Sequence, residues 1–228
     1  MKSQAVLTFL VAVGFCASGC SQEKEVVLWL RKSPRQFTGI SADAAEDLLE
    51  KERGWRPVQH YESWDEWVLA GQRITGCEEV LLGFCKEEEG KSGFSKWFIV
   101  QALGCVESHK SVPLLLAILG DENEDALTRS YAAFALGHIG SHEAVGPLSE
   151  LVKGLKWSDK AFGEESDDGS DRSTLKFNTI VALLEMIDDP QVRPILEAEL
   201  HDPGLPPYLR QLVEEGLAKP QGEVRPSP

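Results

Sequence analysis

The side chains best suited to chemistry are three cysteines, a group of histidines and a run of acids. Cys77 and Cys85 stand eight positions apart on one expected helix, about 12 Å of rise, which no disulfide spans. Cys77 begins that helix and Cys105 ends the next, antiparallel one, so a Cys77–Cys105 disulfide is one reading. Three buried thiols acting as small hydrophobes is the other. There is no CxxC pair and no zinc-ligand spacing. His138 and His142 fall at a helix end and the following turn, with His109 at a similar turn earlier in the chain. A metal site there needs a carboxylate such as Glu107 or Glu143 to converge on them. Turn positions facing solvent favour ordinary surface histidines, and neither a metal nor any other cofactor is expected. The segment 157–172 carries six acids against Lys160 and Arg172. It lacks the D-x-D-x-D-G register and twelfth-position glutamate of a calcium loop, and reads as a solvated acidic loop. No G-x-S-x-G, P-loop, Rossmann fingerprint or H-E-x-x-H is present, so the expectation is a protein without catalytic activity.

Bulk composition narrows the classes further. The 228 residues are 42% apolar and carry Lys+Arg 23 against Asp+Glu 37, a formal charge of −14. A surface this acidic repels phosphate backbones, which argues against nucleic acid as a partner. It also argues against flat electrostatic attachment to anionic lipid.

The first residues offer another route to a membrane. Lys2 precedes an apolar run from Ala5 to Cys16, too short to span a bilayer as a helix, and then Ala17-Ser18-Gly19-Cys20. A basic start, a short apolar segment and a small-residue exit have the form of a secretory signal peptide over 1–19. The exit resembles the lipobox of bacterial lipoproteins, with Ala17 in place of the usual leucine. That resemblance implies that Cys20 is diacylated and becomes the new N-terminus. Ser21 in place of an aspartate leans the implied location towards the outer membrane, on its periplasmic face, if the cell has one. Acyl chains contribute about 0.8 kcal/mol per buried CH₂, which suits stable anchoring.

The positioning elements repeat. Ala102, Ala135 and Ala182 are each followed by Leu, and Pro113, Pro147 and Pro194 follow them by 11 or 12 positions. A basic residue stands six positions before each register point, at Lys96, Arg129, Lys176 and Arg210, the last preceding Gly216. Each unit reads as two helices. Small residues on the first permit close approach of its neighbours, and a proline sits near the first turn of the second, where a missing N–H costs least. The pieces Leu119-Gly-Asp121…Leu127-Thr-Arg129 and Leu200-His-Asp-Pro203…Leu209-Arg210 resemble HEAT repeats, in particular the short kind found in phycobilisome lyases. The resemblance implies an all-α fold, an α-solenoid of about four to five helix pairs, and an Asp–Arg ladder through Asp121, Arg129, Asp202 and Arg210.

The expected organisation is a signal peptide at 1–19, then a lipidated N-terminus, tether and possible first helix at 20–40. Degenerate helical repeats or a cap follow at 41–94, then HEAT-like repeats at 95–218 interrupted by the acidic insertion 157–172, and a disordered tail at 219–228. Capping-box sequences at Ser63–Glu66 and Thr75–Glu78 start two of the upstream helices. Trp29, Trp55, Trp64 and Trp67 gather there, as a solenoid cap or, for the 64/67 pair, as a ligand-stacking platform. The function expected of such an array is a membrane-anchored scaffold or adaptor in the cell envelope that binds another protein, one with a basic surface. The second helices would face it from the concave side, and the resemblance places Glu79, Lys86, Glu87, Glu150, Lys153, Arg193 and Glu197 on that surface. The alternatives are a bilin-lyase-like or other small-molecule-binding protein, or a structural subunit of an envelope complex.

Overall fold

The computed structural model describes residues 21–33, 63–86, 94–157 and 169–219, with residues 169–173 as backbone only. Cys20, Glu87, the interior of the insertion and the tail beyond Lys219 lie outside the described residues. Among the described residues there are helices and no strand, and no helix is long and apolar enough to cross a membrane. The chain forms two compact units that divide between Gly83 and Phe84.

In the first unit, residues 21–31 form α1, Trp64–Gln72 form α2, and Cys77–Lys86 form α3, which begins there and continues past Gly83. Ser63 is the N-cap of α2, its Oγ accepting the Glu66 backbone N–H at 3.2 Å. Gly76 turns the chain into α3 at φ +75°, a left-handed conformation suited to glycine. Trp29 and Trp67 hold α1 to α2. Their rings stack at 4.5 Å and 11°. Each indole also donates to the other residue's carbonyl, at 2.7 Å from Trp29 and 3.0 Å from Trp67. A buried indole is stable only when its N–H finds an acceptor, and this exchange meets both needs. Gly71 makes room for it, since a Cβ there would lie 2.2 Å from the Trp29 ring. Trp64 packs against Trp67 at 4.8 Å. The tryptophans are thus interior packing, with Trp67 wholly buried, which leaves the 64/67 pair no open stacking face at Trp67.

In the second unit, first and second helices alternate: α4 (Lys96–Cys105) and α5 (Val112–Gly120), α6 (Ala126–Ile139) and α7 (Val145–Gly154), α8 (Gly169–Glu185) and α9 (Val192–Glu199), with α5 packed on α6 and α7 on α8. A single first helix, α10 (Pro207–Ala218), ends the array. Pro113, Pro147 and Pro194 fall in the first turns of α5, α7 and α9, where helix N–H groups have no intrahelical acceptor. Asp125 caps α6 by accepting the Thr128 N–H at 2.8 Å, and Gly140 closes it at φ +67°.

The first helices interlock at fixed register positions. A Cβ on Gly104 would lie 2.6 Å from Ala135 Cα, and one on Gly137 would lie 2.5 Å from Ala182 Cα. At the last junction the sizes reverse: Leu184 fills the place of a glycine, and Gly216 the place of the alanine, with 2.6 Å between a Gly216 Cβ and Leu184. Beside this seam runs a second set of matched positions. Trp97 stacks on Tyr131 at 5.1 Å and Asn178 donates to Ser130 Oγ at 2.6 Å, while at the last junction Phe177 meets Tyr208, one helical turn before the matched position, at 6.1 Å. Backbones this close leave no freedom to slide, so the repeats form an α-solenoid with one defined stagger.

Candidate binding surface and its polar ladder

The four basic residues of the repeat register do two different jobs. The lysines reach forward: Lys96 pairs with Glu124 in the α5–α6 loop, and Lys176 lies 3.0 Å from both Glu199 and Asp202 at the α9–α10 junction. The arginines reach back. Arg129 Nε donates to the Leu119 carbonyl at 3.1 Å, and Arg210 donates to the carbonyls of Leu200 and, at 3.0 Å, of Asp202. Each of these two loops therefore receives a lysine from the preceding first helix and an arginine from the following one. The carbonyls that the arginines take belong to helix C-termini and their exits, which lack intrahelical donors.

The expected Asp–Arg ladder is corrected in its chemistry. Asp121 turns onto its own loop and accepts from the Asn123 backbone at 3.0 Å and side chain at 3.1 Å, which holds its pKa below the ordinary value. Asp202 accepts the Gly204 N–H at 2.8 Å and the Lys176 ammonium. Burial alone would raise its pKa, but these donors outweigh that and the net shift is downward. The guanidiniums bind backbone, and the carboxylates bind their own turns and a lysine.

Lys176 is the most demanding of the four, because its side chain is only 2% exposed. Glu199 and Asp202 supply the counter-charge and the Trp157 ring lies 5.3 Å from the ammonium. Glu199 Oε2 makes its ion pair without an aligned hydrogen bond, and the Trp157 indole N–H is buried without an acceptor among the described residues. Trp157 stands at the entry of the acidic insertion. The α7–α8 junction, where that insertion lies, is thus tied by an aromatic–cation contact in place of the Lys-and-Arg pattern.

The residues expected on the binding surface divide. Glu79, Lys86, Glu150, Lys153 and Glu197 are exposed, and Lys153 pairs with Glu150 at 3.2 Å within α7. Arg193 does not belong with them. It is half-buried and donates to the carbonyls of Leu217 at 2.7 Å and Lys219 at 2.9 Å, closing the end of α10.

None of Cys77, Cys85 and Cys105 is in a disulfide, so the Cys77–Cys105 bond is not made. Cys77 and Cys105 are each buried in packed interior, where neither side chain is free to seek a partner. Burial, with the charges of Glu25 and Glu79, pushes the Cys77 thiol up to about 12; burial pushes Cys85 to about 11 and raises Cys105 further still. Thiols so shifted stay protonated and weakly nucleophilic near neutral pH. His142 Nδ1 contacts Asp189, and His138 packs edge-on against Phe134. Among the described residues no group of three potential ligands converges on a metal position.

The basic register was legible in the residue spacing, whereas Glu199 and Trp157 were missed as members of the Lys176 cluster. The one available signal was a lysine at a position where the next repeat has arginine. Residues 128–154, which cover most of α6 and all of α7, match the family described as PBS lyase HEAT-like repeat. No curated protein matches the chain.

Proposed function

We propose that this HEAT-like repeat protein is a lipid-anchored, noncatalytic scaffold of the cell envelope whose second helices dock a protein partner with a basic surface. The observation that carries the reading is the division of labour among its charges. Lys176, Arg129, Arg210 and Arg193 are consumed by ion pairs and helix ends inside the array. Glu150 on α7 and Glu197 on α9 remain at the exposed surface, on helices that the interlocked seam keeps at fixed spacing. Rigid placement lowers the ordering cost of binding, and negative charge steers a basic partner. The raised thiol pKa values support a role without a cysteine nucleophile. The anchor is Cys20, on the strength of the signal-like segment before it, with export and outer-membrane placement following from the same motif.

The test is crosslinking in intact cells, with the wild-type chain compared with Glu150→Lys/Glu197→Lys. A captured protein that is lost in the double variant is the supporting result. Capture that is indifferent to the reversal, or a small molecule that co-purifies in its place, overturns the proposed surface. Mass analysis of the mature N-terminus tests the anchor, which fails if the chain does not start at an acylated Cys20.

A further inference from the structure

We infer that the first unit lies directly on the bilayer, without a flexible tether, through an exposed stripe of α1. This inference rests on the anchor at Cys20 proposed above.

Three observations support it. The chain is already helical at residue 21, one position from the acylation site, and residues 26, 29 and 30 of that helix are buried at 2% exposure or less. The Gln22 side chain packs at the Gly76 turn, within 3.2 Å of where a Cβ would stand, so the fold engages α1 from its second described residue. A flexible linker of n residues reaches about 5–6 Å × √n, and with no linker the acyl chains and the folded unit stay within a few ångströms.

The exposed side of α1 has the right chemistry for that position. Leu28 is 47% exposed, the second-largest value among the exposed large apolar side chains. Lys24 lies four positions before it and Arg31 three after, on one helix face, and Lys32 follows in the turn that ends α1. Lys24 and Arg31 are exposed and Lys32 is partly so. Residues 21–33 hold three bases and two acids, a local excess of positive charge in a chain whose formal charge is −14. The i±3 and i±4 neighbours of Leu28 are three bases and one exposed acid, Glu25, and an apolar residue flanked by a surplus of long basic side chains suits an interfacial helix, with the leucine in the acyl boundary and the cations among anionic headgroups. One such stripe would not hold a protein at a membrane alone. Beside an acyl anchor it has only to orient one.

The experiment uses the full acylated chain, purified from membranes and reconstituted into vesicles of phosphatidylethanolamine and phosphatidylglycerol at about 3:1, a composition chosen for its anionic lipid. Spin labels are placed at Leu28→Cys and, separately, at Glu197→Cys, with the parent chain giving the labelling background. Relative accessibility to oxygen and to an aqueous nickel chelate reports depth. The label at 28 is expected about 5–10 Å below the headgroup plane, and the label at 197 in water. A label at 28 as accessible to nickel as the one at 197, on a chain whose Cys20 is acylated by mass, overturns the tetherless placement and leaves the anchor standing. A chain without acylated Cys20 overturns both. In Lys24→Glu/Arg31→Glu the label at 28 should move towards water, and an unchanged depth removes the basic side chains from the argument.

Discussion

The two units bring helices together by opposite means. In the first, α1 meets α2 through Trp29 and Trp67, whose large rings stack and satisfy each other's backbone. In the second, α4, α6 and α8 meet through glycine and alanine, and nothing larger fits between the backbones. The first device is a single contact between segments 38 positions apart, and it defines one docking only. The second can be copied, because α4 and α6 offer the same small surface to the helix that follows, and only the last junction exchanges the sizes.

The comparison breaks most readily at its bulkiest member. Trp67→Ala removes a wholly buried indole and is expected to destabilise the first unit by about 3–5 kcal/mol, read as lost hydrogen-exchange protection in α1 and α2. Lys176→Met should cost the second unit a similar amount, about 3–5 kcal/mol, because Glu199 is left buried without its cation. Urea unfolding checks it, and Lys176→Met/Glu199→Leu should recover much of the loss. The same cluster sets an acid response. The pKa of Asp202 is lowered in the fold, so the unfolded chain takes up the proton first as pH falls. Its contribution is fully present above about pH 4 and disappears as pH drops through the lowered value. Asp202→Asn should flatten that acid branch in a pH series of unfolding midpoints. Gly137→Ala comes next. Its Cβ would sit 2.5 Å from the Ala182 backbone, and the forced separation should cost about 1–3 kcal/mol in the same assay.

These effects differ in how far ahead they could be read. The interlock was legible because it repeats: Ala102, Ala135 and Ala182 at matched spacing, with a base six positions before each, are a pattern that one chain displays against itself. The partners of those bases were not. Arginine at 129 or 210 satisfies an aspartate or a carbonyl equally well in sequence, and the choice depends on which helix end the fold leaves without donors. Arg193 was misplaced for the same reason, since its acceptors lie 24 and 26 residues away at the end of α10. The Trp29–Trp67 contact was legible only as a gathering of tryptophans. Its reciprocal bonds come from tertiary proximity, which no local periodicity encodes. Among the expected surface residues, those legible as exposed lie on helices with strong one-sided patterning, such as Glu150 and Glu197.

The smallest predicted effect bears most directly on function. Gly83 sits inside α3, is exposed, has no atom within 4 Å of an added Cβ, and does not adopt a positive φ. Nothing among the described residues requires glycine there, so Gly83→Ala should stabilise by about 0.5–1 kcal/mol through helix propensity and a less mobile unfolded chain. The same substitution at Gly137 carries the opposite sign, and urea midpoints of the two variants test the contrast in one experiment. A glycine that costs stability and fills no gap invites a reason from outside the chain. Glu79 lies four positions before it and Lys86 three after, so the three share one exposed stripe of α3. A partner backbone lying close along that stripe would need the missing Cβ. Gly83→Ala would then raise the urea midpoint while reducing partner capture in cells. If capture is unchanged in the stabilised variant, α3 lies outside the contact.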